Sequence, residues 1–79
     1  MVTIHREGSI RVMIFSDDHE PAHVHVFGEG HAKINLTGRN GLPELVWVDR
    51  MKHREAQKEM SIVVENQQVF LERWREIHG

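Results

Sequence analysis

Between Arg11 and Lys33 the chain carries no lysine or arginine, yet it places Asp17, Asp18, Glu20 and Glu29 among His19, His23, His25 and His31. Four acids and four imidazoles without a fixed positive charge make a poor direct phosphate site. Carboxylates and neutral imidazoles are instead the donors that a divalent cation takes, Zn, Mn or Ni among them. Seven histidines occur in 79 residues, and five fall in the first 31. In an extended strand His23 and His25 point to one face, ~6.5–7 Å apart at Cα. His31, on a strand returning through Gly28-Glu29-Gly30, lies diagonally across from His25 at ~7–8 Å. The expected ligand group is Asp18, His19, His23 and His25, with Asp17 and His31 as further donors.

Two other chemistries fit the same residues. Metal-free acid–base catalysis on a phosphodiester would use His23 or His25 as general base, with Arg11 or Lys33 stabilising the charged transition state. Such a protein would be a ribonuclease or another nucleic-acid-processing enzyme. Alternatively, the histidines form a hydrogen-bonded structural cluster, with Asp17-Asp18 as turn formers. Ser9, Ser16, Thr37 and Ser61 lie in no Gly-x-Ser-x-Gly elbow, and there is no GxGxxG or P-loop. His23, His25 and Glu29 overlap part of a cupin metal signature, but the chain is too short for the double-sheet jelly roll.

The elements that must position these residues are legible in the periodicity. Ser9–Phe15, Ala22–Phe27 and His31–Leu36 alternate as strands, and Glu44–Val48 combines β-branching with an aromatic residue. With core faces matched, Met13 falls opposite His25, Phe15 opposite His23, His25 opposite Lys33 and Phe27 opposite His31. Residues 37–43 (TGRNGLP) are turn chemistry. From about Arg54 the period becomes 3.6, with Ala56, Met60, Val63, Phe70, Trp74 and Ile77 as the apolar stripe and Glu55, Lys58 and Glu59 off it. A break is expected near Glu65-Asn66, with Asn66 as N-cap. The expected fold is α+β, a single domain over residues 1–79. It has a three- to four-stranded antiparallel sheet followed by one long or two short C-terminal helices packed on one face. Trp47, Phe70 and Trp74 read as core, and His5, His53 and His78 as surface. Met13, Phe15 and Phe27 would share the histidine face uncovered, which points to a protein partner or a homo-oligomer.

Ten Lys+Arg against twelve Asp+Glu give a formal charge of −2, no reason to expect a generic nucleic-acid binder. There is no cysteine, hence no disulfide framework, thiolate zinc site or Cys nucleophile. No stretch approaches the ~20 apolar residues of a membrane span, and the N-terminus shows no apolar signal region, so a cytoplasmic protein is expected.

Thr3-Ile4, the segment Asp18-His19-Glu20-Pro21-Ala22-His23-Val24-His25-Val26, then Val64-Glu65-Asn66 and Trp74-Arg75-Glu76-Ile77-His78-Gly79 resemble a family of small bacterial proteins known as domain of unknown function 4160. The resemblance runs over nearly the whole chain. Val2 and Ala22 stand where prolines are common in that family, and neither change removes a potential ligand. The resemblance implies that the acidic-histidine segment matters without saying how. It also implies an accessory role in a small two-gene module of toxin–antitoxin type, beside a small protein partner.

Overall fold

The computed structural model describes residues 1–79. Five strands, β1 (Val2–Glu7), β2 (Ile10–Ile14), β3 (His23–Phe27), β4 (His31–Asn35) and β5 (Glu44–Asp49), precede two helices, α1 (His53–Glu65) and α2 (Gln67–His78). The strands form one antiparallel sheet in chain order, each paired with its sequence neighbours. That simple meander follows from the turns. Gly8 takes the left-handed conformation between β1 and β2 (φ 60°), and the Gly28 N–H donates to the Gly30 carbonyl at 3.0 Å to close the β3–β4 loop. A longer connection, closed by a bond from the Gly38 N–H to the Leu42 carbonyl, leads to β5.

The pleat divides the sheet into two faces. Val12, Ile14, Val24, Val26, Ala32 and Ile34 project to one side and pack against Ile62 and Val63 of α1 and Phe70 and Trp74 of α2. The helix face is therefore the core, and the other face carries Arg11, Met13, His25, Phe27, His31 and Lys33. The registers Met13↔His25, His25↔Lys33 and Phe27↔His31 are those the alternation predicts.

Several sequence-based expectations need correction. The sheet has five strands, not three or four. Val2 and Ile4 alternate with Thr3 and His5 as a strand would, but the run is short and its end charged. Pairing with β2, irregular between Thr3 and His5, decides it. His5 sits edge-on to Phe70 and His78 stacks on Trp74 at 3.8 Å between ring centroids, so neither is a simple surface residue. Trp47 is not core but 40% exposed on the edge strand. The helix break does fall at Asn66, yet the Asn66 side chain does not cap α2. Its amide donates back to the Ile62 carbonyl at 2.8 Å, closing α1. Gln67, which interrupts the apolar stripe, uses its amide to bond the carbonyls of Leu36 and Gly41 at 2.7 and 2.8 Å. One side chain thereby ties the start of α2 to the loop before β5.

Glu59, placed off the apolar stripe by its charge, is fully buried on α1 at 0% exposure. Its carboxyl and that of Glu55, one helical turn earlier, press against the β3–β4 loop at Gly28, where a Cβ would collide with both. As a carboxylate Glu59 finds no donor. Burial, then the hydrogen bond and the charge of Glu55, push its pKa up to about 8. Protonated Glu59 can donate to Glu55, so the pair shares a proton at neutral pH. A carboxyl raised in the folded state gives stability that is full below its unfolded value near ~4.5 and lost as pH rises through about 8. Glu59→Gln keeps the shape and supplies a permanent donor. Thermal melts should show the wild type losing stability between pH 5 and pH 8 and levelling off above that, while the variant loses much less; parallel profiles would refute the shared proton.

Candidate metal centre

The β2–β3 connection folds back over the histidine face. The Phe15 N–H donates to the Asp18 carboxylate at 3.3 Å, and the Asp18 N–H donates to the Phe15 carbonyl at 3.1 Å. These two bonds set Asp18 above β3. Its Oδ2 lies 3.1 Å from His23 Nε2 and 3.6 Å from His25 Nε2. Asp18, His23 and His25 offer one ligand atom each within 4.8 Å of one another, a group that can hold a metal ion.

The other nitrogen of each imidazole is already engaged. His23 Nδ1 lies 2.9 Å from the Pro21 carbonyl, and a carbonyl can only accept, so this nitrogen carries the proton. A neutral His23 then presents a bare Nε2 lone pair to the Asp18 carboxylate. Two acceptors at 3.1 Å are unfavourable unless a proton or a cation lies between them. His25 Nδ1 is 2.9 Å from His31 Nε2, where one ring must donate and the other accept. If His25 donates, its Nε2 is free as well. Hydrogen-bonding the remote nitrogen is how proteins orient a metal-ligating histidine.

The surroundings keep the rings fixed. Phe15 stacks on His25 at 4.4 Å between centroids, the tilted His31 ring meets it at 5.1 Å, and Trp47 lies at 6.4 Å edge-on. His23 lies 5.2 Å from the Trp74 ring, whose Nε1–H donates to the Glu20 carboxylate. His23 and His25 are buried, at 4% and 8% exposure, His23 beside the α2 residue Trp74 at the start of β3 and His25 on the face away from the helices. Met13 is buried too. The apolar residues of this face are thus largely covered by their own neighbours, and the surface expected to be bare at Met13 is not. Burial lowers the pKa of His25, with Asp18 opposing and His23, His31 and Lys33 adding to the fall; burial also lowers that of His31, with Asp49 opposing.

Of the residues singled out from the sequence, the fold brings Asp18, His23 and His25 together and sets His31 behind His25. Asp17 and His19 are exposed on the connection, outside the group. Lys33 is directly opposite His25, and the Arg11 guanidinium lies over the Phe27 ring at 5.7 Å. The roles that sequence reasoning passed over are those of Pro21, whose carbonyl fixes the His23 tautomer, and of Trp74, which backs His23 and donates to Glu20. A backbone acceptor carries no side-chain signal.

Removing the Asp18 carboxylate breaks its bond to the Phe15 N–H, the side-chain tie that holds the connection over β3. Asp18→Ala should cost about 1–2 kcal/mol in urea unfolding of the metal-free protein, more than Asp17→Ala at the exposed neighbour. Equal effects would mean that Asp18 does not hold the connection.

Residues 9–75 match the family model described as Domain of unknown function (DUF4160), and the chain belongs to that family. No curated protein and no solved structure matches it. No helix is long and apolar enough to cross a membrane.

Proposed function

We propose that this member of the DUF4160 family is a divalent-metal-binding domain, with Asp18, His23 and His25 as the protein ligands. The observation that carries the reading is the pair of 2.9 Å contacts at Nδ1 of His23 and His25, which leaves both Nε2 atoms facing one carboxylate oxygen. The spacing supports it as well. Ligands at ~2.0–2.1 Å from a tetrahedral ion stand about 3.3–3.4 Å from one another, and the two Nε2–Oδ2 distances are 3.1 and 3.6 Å. Two imidazoles and a carboxylate suit Zn, Mn or Ni. Three protein ligands would leave at least one position for water or substrate, as catalytic sites do.

Calorimetric titration of untagged protein with Zn²⁺ should give one equivalent bound. His23→Ala and His25→Ala should each weaken binding at least ~10-fold, since removing even a partner behind a ligand costs that much. Asp17→Ala and His19→Ala should leave it unchanged. Absence of stoichiometric binding of Zn²⁺, Mn²⁺ and Ni²⁺ would end this reading.

A second reading, metal-free acid–base chemistry on a phosphodiester, draws on the His25–His31 hydrogen bond and on Lys33 beside His25. It predicts cleavage of RNA in the presence of a chelator, lost in His25→Ala with the fold intact by circular dichroism. Activity that needs added metal would return the site to the first reading.

A further inference from the structure

Strand β5 is an open edge. Its neighbour on one side is β4 and on the other there is nothing, so half its backbone groups have no ladder partner. All six of its residues are exposed, Val46 and Trp47 among them at 44% and 40%. The other edge, β1, is mostly half-buried and ends in Arg6 and Glu7. Of the two edge strands, β5 is the one that exposes large apolar side chains, Leu45, Val46, Trp47 and Val48.

The register shows what each side of β5 would meet. Leu45 and Val48 are opposite the core residues Ile34 and Ala32 and so lie on the helix side. Glu44, Trp47 and Asp49 are opposite Asn35, Lys33 and His31 and lie on the histidine side, with Val46 as the extra residue of a bulge. On the helix side the sheet does not end flush with α1. A groove of about 590 Å³ runs between Leu45 and the Ala56–Met60 turn of α1. Side chains of a strand added beside β5 would enter that groove, under a helix already in place.

We infer that β5 is a docking edge for an extended segment of a different protein, one with apolar residues toward the α1 groove and a Lys or Arg beside each of Glu44 and Asp49. A second copy of the chain is disfavoured by charge. The antiparallel self-pairing that uses all six residues of β5 sets Leu45 against Val48 and, at both ends, Glu44 against Asp49. Like charges directly opposite are destabilising, and β5 has no basic residue to offset them. A basic segment meets neither objection, and strand addition supplies the missing backbone bonds.

Random linear twelve-residue peptides displayed on phage provide the probe, selected on the full chain. Selected peptides should alternate apolar residues between two basic positions. They should shift the emission of exposed Trp47 to the blue, since the other tryptophan, Trp74, is already buried. Their binding should fall at least ten-fold in Leu45→Lys/Val48→Lys, a pair of exposed positions whose change leaves the core intact by circular dichroism. Glu44→Lys/Asp49→Lys should turn the selection toward acidic flanks. Light scattering should give a monomer. The inference is overturned by a selection that enriches nothing, by peptides without basic flanks, by a charge-reversed variant with unchanged preference, or by a dimer that Leu45→Lys/Val48→Lys dissolves.

Discussion

The two-residue period of β3 is the constraint from which the rest of the molecule follows. In His23-Val24-His25-Val26 the valines must enter the apolar layer under α1 and α2, because that burial is the main stabilising term available to so small a chain. Once Val24 and Val26 are committed to one face, His23 and His25 have no choice but the other. A slip of one residue would bury two imidazoles in the core and expose two valines. The energetics of packing therefore hold the site's geometry, and nothing in the site itself needs to be strong enough to do so.

What surrounds the histidines is a second, smaller layer made from side chains of the sheet and from the β2–β3 connection. Phe15, His31 and Trp47 pack around His25, while the Pro21 carbonyl and the Trp74 ring hold His23. The layer is dry enough to lower the pKa of His25, yet open on the side of Asp18. Both imidazoles have Nδ1 engaged and turn Nε2 toward one carboxylate. The cost is a lone-pair conflict between His23 and Asp18 that a cation or a proton relieves.

At the other end of the sheet the carboxyl pair Glu55–Glu59 performs a different task. It braces α1 against the β3–β4 loop, and Gly28 is the residue that makes room for it. A methyl group at that position would meet both carboxyl ends. The brace keeps α1 over the sheet while leaving the groove beside β5 uncovered.

The antiparallel sheet with its three central strands, the His25-to-Lys33 and Met13-to-His25 registers, and the helix break at Asn66 were legible in the sequence, while the first strand was not. Each legible feature is a local consequence of alternation, turn residues or a change of period. That His23 and His25 share a face near the acidic connection was legible for the same reason, although His19, expected beside them, is exposed on the connection. Tertiary structure alone decided the rest. Which acid of the pair Asp17-Asp18 turns inward depends on the Phe15 backbone, and the His23 tautomer depends on a carbonyl that has no side-chain signature. Glu59 is buried because a second carboxyl and a glycine meet it there, against the ordinary preference of its charge. Trp47 is exposed because β5 is last in the meander, and an edge position is a property of the whole sheet that no residue of β5 records.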